Sequence, residues 1–463
     1  MEVLPLNQSA LGWYAPASTW INNLAEVVNG TGTHGFIFNN TEPDVYGGYD
    51  WCNMPHVRTT EYPTPGDDYL LTYVEVIHRH HKRTPYQANT FPKENYDWYC
   101  SDEELFYYAD HLGGGGRSSA QTYWQVAWDE SYPLAPEGFN GTCQFPQITG
   151  GGLDDSAQHG LDLFDVYHDL LKFLPNTMNG SVKYRVTNNV ITSQVAGKVV
   201  GAMYYPAWPT PLQIQPDSID SLEPAYSCPA SSDLYNAYAV GSTNSSWLAH
   251  LDASQPLFNE LDAISGVDSD DSGWHQSWDH YFDNLSARQC HDKPLPCNES
   301  LPAKNNPGPC VSQEQADTVY RLGQYEYSYQ YRDNPQSLPA AVSSFGIWCA
   351  ELAEHIRDSI SGNSNIVYRH NVAHDGSVAR LLSILQVNVM VWPGMGSEVV
   401  FELYQNRKTQ NWHIRVLWGG KVLTSSSPTL GRMDMLDVSV FLAYIDGLVG
   451  VKAAKIPELC GLD

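Results

Sequence analysis

Residues 69–85 read YLLTYVEVIHRHHKRTP, an apolar run that ends in a cluster of basic residues closed by Pro85. The run from Tyr69 to Ile77 is apolar enough on both faces to be a buried strand, and such strands are typical of parallel sheets. In open α/β sheets, ligands bind beyond the carboxyl ends of the strands. The basic cluster from His78 to Arg83 therefore stands where a binding site is expected.

The cluster from Arg79 to Arg83 holds two arginines, one lysine and two histidines. Arginine is suited to phosphate because its planar guanidinium donates two parallel hydrogen bonds, so the cluster could form a local anion site. One alternative is a solvated basic loop. Another is a metal site made by His78, His80 and His81, which is disfavoured because adjacent positions cannot all face one ion.

The rest of the chain alternates strands with helices. We expect helices at 152–174, 189–203, 343–359, 377–386 and 438–449, and strands at 182–186, 365–368, 398–404 and 412–418. Alternation of this kind predicts an α/β fold, with a mostly parallel sheet flanked by helices and an inserted α-rich cap. The expected catalytic domain comprises 66–86, 150–205 and 335–463. The expected cap insertions are 87–149 and 206–334, after a loop-rich N-terminal segment, 1–65.

A second chemical constellation, Ala373-His374-Asp375-Gly376, falls in a predicted strand-to-helix loop. A carboxylic acid at such a position can protonate a leaving group when its pKa is tuned toward the working pH. The dipeptide His374–Asp375 is too common to indicate a site by itself. It gains meaning only in combination with the basic cluster.

Together the two constellations resemble the histidine acid phosphatase family, whose signature is Arg-His-Gly-x-Arg-x-Pro early in the chain and His-Asp late. Three further stretches resemble family motifs and follow in the expected order between about residues 70 and 450. They are the helix entry Gly152-Leu153 with Gln158 and Gly160, the segment from Trp392 to Tyr404, and a late hairpin from Ile414 to Leu423.

The resemblance implies an acid phosphatase that hydrolyses phosphomonoesters of small molecules without a metal or other cofactor. His80 would attack phosphorus and form a phosphohistidine, and Asp375 would donate a proton to the leaving group. The remaining residues that we expect at the site bind the phosphate oxygens (Arg79, Arg83, His374) or the substrate more generally (His81, Lys82, Arg185).

Two positions depart from the family pattern. The glycine that follows the nucleophile is replaced by His81, which could reshape the pocket. The second arginine of the family's middle motif, which normally holds phosphate, aligns with Ile191. These departures leave open an enzyme repurposed for acid–base chemistry on a non-phosphorylated metabolite, or a non-catalytic pseudophosphatase. A cation that fills the gap at Ile191 would favour the phosphatase.

Composition indicates the compartment and excludes some partners. The chain has 52 acidic and 25 basic residues, a formal net charge of −27, which repels nucleic acid and anionic membrane surfaces. No run reaches the ~20 apolar residues of a membrane helix. The nine cysteines lack zinc-site spacing, and the sequence contains eight Asn-x-Ser/Thr sites. The sites begin at Asn7, Asn29, Asn39, Asn140, Asn179, Asn244, Asn284 and Asn298.

Disulfides and N-linked glycans together are typical of secreted proteins. We therefore expect a secreted, extracellular glycoprotein. The N-terminus shows no signal-peptide pattern, and we expect that an initiator Met has replaced a signal peptide. The odd number of cysteines leaves at least one thiol unpaired, and the sequence does not tell which one.

Overall fold

The computed structural model describes residues 5–33, 50–93, 97–103, 105–106, 120, 122–126, 131, 141–205, 209–298 and 308–462. At its centre lies a sheet in which the strand predicted from the opening motif, β1 (Tyr69–Arg79), is a central member. The other strands are β2 (Leu105–Phe106), β3 (Tyr123–Trp124), β4 (Val182–Val186), β5 (Leu212–Gln213), β6 (Tyr368–Ala373), β7 (Glu398–Asn406), β8 (Trp412–Trp418), β9 (Lys421–Val422) and β10 (Leu436–Asp437).

The α/β class is confirmed, but the sheet is mixed rather than mostly parallel. The strand order is β10-β8-β7-β1-β6-β4-β5, with β9 paired to β8, while β2 and β3 form a separate pair. The pairs β1–β6, β6–β4 and β4–β5 are parallel. The pairs on the other side of β1 are antiparallel. Short turns join β7 to β8 and, through Gly419–Gly420, β8 to β9, as antiparallel neighbours allow.

The side chains of β1 alternate between two hydrophobic cores, one on each face of the sheet. Tyr73 and Ile77 belong to the larger core, whereas Val74 and Val76 belong to the second. A strand buried on both faces needs apolar residues at nearly every position, which explains the continuous apolar run. The alternation also sends successive residues at the end of β1 to opposite faces.

Helices cover both faces of the sheet. Their bounds are Leu24–Asn29, Gly150–Phe164, Val190–Met203, Pro229–Tyr238, Ser245–Ser265, Ser272–His275, Asp279–Gln289, Gln313–Ser328, Ser337–Ser361, Asp375–Ile384, Val438–Val449 and Ile456–Leu459. The five predicted helices are all present, and the strands predicted at 182–186, 398–404 and 412–418 are confirmed. The division into a catalytic domain and cap insertions stays a prediction.

The strand predicted at 365–368 is wrong in its bounds, because β6 begins where the prediction ends. The strand carries Arg369, His370 and Asn371 in its middle, and His370 and Asn371 are buried. The amide of Asn371 donates to the Val76 carbonyl at 2.9 Å. Polar residues that satisfy each other inside a sheet leave no hydrophobic pattern, so the sequence could not reveal this strand.

Four disulfides join eight of the nine cysteines, and Cys349 is a buried free thiol. The pairs are Cys52–Cys290, Cys100–Cys143, Cys228–Cys460 and Cys297–Cys310. Disulfides of this number are typical of proteins that mature in an oxidising compartment. Within the described residues, no helix is both long and apolar enough to cross a membrane.

The potential glycosylation sites differ in exposure. The side chains of Asn7, Asn29 and Asn179 are exposed, and that of Asn244 is half-buried. Asn284 and Asn298 are buried, and their amides donate to backbone carbonyls at 2.9 and 2.8 Å. These two amides are inaccessible in the folded chain, which favours the exposed sites, and glycosylation of the protein stays a prediction. Asn39 and Asn140 lie outside the described residues.

Candidate active site

The register of the parallel strands brings the two sequence constellations together. Arg79, the last residue of β1, pairs with Ala373, the last residue of β6. The backbone N–H of His80 then donates to the Ala373 carbonyl at 3.0 Å. Since both chains leave the sheet at the same edge, His80 and His374 become neighbours, and their ring centroids lie 5.4 Å apart.

The ring of His80 is held in one tautomer. Its Nδ1 lies 3.0 Å from the carbonyl oxygen of His81, which can only accept a hydrogen bond. The proton therefore sits on Nδ1, and Nε2 keeps its lone pair. Burial, the charges of Arg79 and Arg83, and nearby His374 lower the pKa of His80 well below its usual value. The geometry and the pKa direction both favour a neutral imidazole with a nucleophilic Nε2.

Asp375 begins the helix Asp375–Ile384 and faces Arg79 at 3.1 Å. The indole Nε1 of Trp392 donates to its Oδ2 at 2.8 Å, and the Gly376 N–H donates to its Oδ1 at 2.7 Å. Burial acts to raise the pKa of Asp375, but the charge of Arg79 and the Trp392 hydrogen bond outweigh it, so the net pKa is lowered. Without substrate, Asp375 is therefore ionised.

Arg83 is also paired with a carboxylate. Its Nη1 lies 3.0 Å from Asp283, on the helix Asp279–Gln289, and its guanidinium stacks over the Tyr86 ring at 4.2 Å. Asp283 also accepts from the backbone N–H of Tyr86 and from the Asn89 amide. Arg79 and Arg83 are therefore each paired with a carboxylate. An anionic ligand has to displace Asp375 or Asp283 in order to bind them.

The surroundings of His374 contain an anion rather than an added cation. Its Nε2 lies 3.0 Å from the Thr187 hydroxyl and 3.4 Å from Glu223. Burial opposes ionisation of Glu223, but its hydrogen bond to His374 lowers its pKa overall. Ile191 is fully buried in the second hydrophobic core.

A cavity of about 310 Å³ opens beside Arg79, Arg83 and Asp375. Aromatic rings, amides and carboxylates line it. They include Tyr86, Tyr327, Tyr331 and Trp392, then Asn89, Gln276 and Gln330, and finally Asp279, Asp283 and Glu326. Four carboxylates face two arginines and His280, whose Nδ1 lies 2.9 Å from Asp279, so each of these cations has a carboxylate partner. The lining suits a neutral group better than a polyanion.

Of the residues expected at the site, Arg79, His80, Arg83, His374 and Asp375 are brought together, whereas the three residues assigned to substrate binding are directed elsewhere. The buried ring of His81 points to His159, with 3.0 Å between nitrogens. Lys82 pairs with Asp155 at 3.0 Å. Arg185 pairs with Asp220 and Glu351 at 3.0 and 2.8 Å and lines a different cavity. Their assignment to substrate binding stays a prediction, and in this structure each of the three side chains contacts another partner.

Three residues that the sequence did not suggest complete the site. Trp392 bonds the carboxylate of Asp375, Asp283 holds Arg83, and Glu223 contacts His374. Trp392 lies in a segment that resembles a family motif, so the sequence contained a weak signal for it. Asp283 and Glu223 lie in irregular or helical segments far away in sequence, and no pattern marks them.

The chain is similar to known phosphatases and to one protein of another name. The sequence model of the histidine phosphatase superfamily (branch 2) matches residues 70–418. Counting factor 60 of Dictyostelium discoideum is 25% identical over 391 residues, which are 81% of this chain and 85% of that protein. The human protein 2-phosphoxylose phosphatase 1 is 22% identical over 401 residues, covering 83% of this chain and 78% of the relative.

Solved structures share the fold at low sequence identity. The apo form of Hafnia alvei phytase superimposes with a TM-score of 0.52 at 12% identity and covers 84% of this chain and 99% of its own. The phytase of Citrobacter braakii gives a TM-score of 0.52 at 12% identity, covering 83% of this chain and 99% of its own. At this identity the likeness establishes the fold and nothing about the substrate.

Proposed function

Because this chain belongs to the histidine phosphatase superfamily, branch 2, we propose that it is an acid phosphatase acting on small phosphomonoesters through a phosphohistidine on His80. The observation that carries the proposal is the fixed tautomer of His80, whose Nδ1 is bonded to the His81 carbonyl beside Arg79, His374 and Asp375. The four disulfides support maturation in the secretory pathway, and we propose secretion from the cell.

The reaction has two balanced steps. In the first, Nε2 of His80 attacks phosphorus, a P–N bond forms, and the P–O bond to the leaving group breaks. The leaving oxygen takes a proton through Asp375. In the second step, water attacks the phosphohistidine, a new P–O bond forms and the P–N bond breaks. The proton from water passes through Asp375 to the departing inorganic phosphate, which restores His80 and ionised Asp375.

Phosphate binding supplies the electrostatic part of catalysis. Arg79, Arg83 and His374 surround the position in front of His80, where negative charge spreads over the phosphoryl oxygens. Binding exchanges the Arg79–Asp375 contact for an Arg79–phosphate contact. This exchange removes the main charge that keeps Asp375 ionised, so Asp375 becomes a better proton carrier once the substrate is in place.

The lining of the cavity supports a monophosphate on a neutral leaving group. The cations that line the cavity, including His280 beside Asp279, are already paired with carboxylates, so a leaving group with further phosphates finds no free cation among the described lining residues. Aromatic rings and amides offer stacking and hydrogen bonds to a neutral ring or sugar. We therefore propose that inositol polyphosphates are poor substrates, even though the fold resembles that of phytases.

The direct test is to trap the intermediate. Enzyme is mixed with an aryl phosphate labelled at phosphorus and quenched in alkali, in which phosphohistidine survives, and the labelled peptide is identified by mass spectrometry. We expect the label on His80. Hydrolysis with the label on another residue, or with no enzyme-bound label under single turnover, would contradict the proposed mechanism.

We expect kcat/KM for aryl phosphates to be level from about pH 4 to 6 and then to fall about tenfold per pH unit. The lowered pKa of His80 favours its neutral form in the free enzyme, and the lowered pKa of Asp375 favours its ionised form. The proton for the leaving group must then arrive with the monoanionic substrate, whose second pKa is about 6.

Substrates with different second pKa values provide the control for this profile. If the substrate carries the proton, the descending limb moves with the pKa of the substrate. If the descending limb of the kcat/KM profile stays at the same pH for every substrate, the group that titrates belongs to the enzyme instead.

A second candidate function is acid–base chemistry on a non-phosphorylated metabolite. Its supporting observation is Glu223, an anion 3.4 Å from His374, together with the apolar packing of Ile191. Both weaken a phosphate clamp, and loss of one donor elsewhere costs about 10²–10³ in rate. Calorimetric titration with orthovanadate, a phosphate analogue, separates the two: the phosphatase binds it, and an enzyme without a phosphate site does not.

A further inference from the structure

Three histidines form a second cluster on the opposite face of the sheet from Arg79. His78 lies on β1, His81 follows the strand, and His159 lies on the helix Gly150–Phe164. All three are fully buried, and one ring nitrogen of each lies within 4.8 Å of the other two. The name histidine cluster is used below for His78, His81 and His159. His80 does not belong to it, because its ring points to His374.

Hydrogen bonds to groups outside the cluster fix which ring nitrogen of His78 and of His159 carries the proton. The Nδ1 of His78 lies 2.8 Å from the carbonyl oxygen of Arg79, so Nδ1 carries the proton. The lone pair of Nε2 is then available to a metal ion. The Nε2 of His159 lies 3.0 Å from the carboxylate of Glu398, which leaves Nδ1 in the same role. A histidine that binds a metal through one nitrogen usually donates its other N–H to a carbonyl or a carboxylate.

The ring nitrogens of the cluster converge. Nδ1 of His159 and Nε2 of His81 lie 3.0 Å apart and share a hydrogen bond, which a bound ion would replace. Nε2 of His78 is buried and has no hydrogen-bond partner within the described part of the chain. Zinc binds imidazole nitrogen at about 2.0–2.1 Å, which separates two ligands of a tetrahedral site by about 3.3 Å. Separations between 3.0 and 4.8 Å bracket this value, so small side-chain movements suffice to bind an ion.

Carboxylates beside the cluster balance a positive ion. Glu398 is fully buried next to His159. The ring of His56 stacks on His159 with 4.1 Å between centroids, and its Nε2 lies 2.7 Å from Asp162. The Glu398 carboxyl bonds His159 directly, and Asp162 bonds His56, so both are placed to balance the charge of a divalent cation. A buried group of histidines with unpartnered nitrogens is otherwise unfavourable.

We propose that His78, His81 and His159 bind one divalent transition-metal ion of the zinc type, held from outside by Glu398 and the Arg79 carbonyl. Three imidazole ligands suit zinc and its neighbours in the first transition series. The ion anchors the loop that carries the nucleophile, because the backbone carbonyl of His81 receives the Nδ1–H of His80. The ion has a positioning role and takes no part in phosphoryl transfer. This proposal does not rest on the proposed function.

The test measures metal content of the full chain after dialysis against metal-free buffer. We expect about one zinc ion per chain, and visible d–d absorption of tetrahedral cobalt after exchange with Co²⁺. His81→Gly restores the family's residue and removes one ligand, so we expect it to lose both signals. His370→Gln is the matched control, because His370 is equally buried beside His78 but lies outside the cluster.

A second variant keeps the proposal testable if His81→Gly does not fold. Glu398→Gln leaves all three ligands in place but weakens the hydrogen bond to His159, and we expect metal affinity to fall by about 10–100-fold in chelator competition. Folded wild type that neither contains metal nor develops cobalt bands would overturn the proposal. Equal metal content in His81→Gly and wild type would show adventitious binding elsewhere and would overturn it as well.

The His80→Ala protein separates this proposal from the proposed function. Its cluster is intact, so we expect it to bind the metal as wild type does. Loss of activity with retained metal therefore tests the nucleophile alone, whereas loss of metal in His80→Ala would contradict the separation of the two sites.

Discussion

His80→Ala is expected to lower the hydrolysis of a chromogenic aryl phosphate near pH 5 by about 10³-fold or more, because no other group can form the covalent intermediate. The neighbouring side chains do not replace it. The buried ring of His81 is directed to His159, and His374 contacts Thr187 and Glu223. The measurement is steady-state release of the phenol by wild type and variant under identical conditions.

His168→Ala is the control for this change. His168 is a half-buried histidine that bonds Asp169 and Asn176 and has no contact with the site. We expect it to keep wild-type activity. If His80→Ala hydrolyses the aryl phosphate as fast as wild type, His80 is ruled out as the nucleophile. If folded wild type is itself inactive on aryl phosphates and does not bind vanadate, the phosphatase proposal fails and the acid–base alternative takes its place.

Asp375→Asn is expected to lower kcat by about 10²–10⁴-fold for an alkyl phosphate and much less for a nitrophenyl phosphate. An alkoxide needs a proton as it leaves, whereas a nitrophenolate departs without one. Asparagine keeps the volume of the side chain and an oxygen for the Trp392 indole. The measurement is kcat for the two substrates in wild type and variant, and the ratio of the two losses is the diagnostic quantity.

Asp68→Asn is the matched control, because Asp68 is an exposed carboxylate that pairs with Lys408. We expect no change in either rate. An equal loss for both leaving groups in Asp375→Asn would contradict proton donation. It would instead assign Asp375 to the positioning of Arg79, with which it forms an ion pair at 3.1 Å.

The local sequence was sufficient wherever the chemistry depends on residues that are close together in the chain. The apolar run 69–77 predicts β1, and the basic cluster follows it at the edge of the sheet, as observed. The helix that begins at Asp375 and the strand Trp412–Trp418 were also predictable from periodicity. These elements bury one face or both, and the spacing of apolar residues in the sequence shows which positions are buried.

Other features depend on pairing between distant segments. β6 was misplaced because two of its buried residues, His370 and Asn371, are polar, and Asn371 is bonded across the sheet to Glu75. The partners of Arg83 and Arg185 are Asp283, Asp220 and Glu351, and no motif marks any of them. An ion pair requires only that two side chains meet, so it leaves no signature in the sequence of either partner.

The sequence by itself indicated the family and drew attention to His80 and Asp375, the proposed nucleophile and proton donor, because both stand in motifs directly after predicted strands. Only the tertiary structure decided which residues surround them. The β1–β6 register joins His80 to His374, and the alternation of β1 sends His78 to the opposite face, where a helix supplies His159. Proximity across a fold is set by strand register and helix packing, and these are properties of the whole chain.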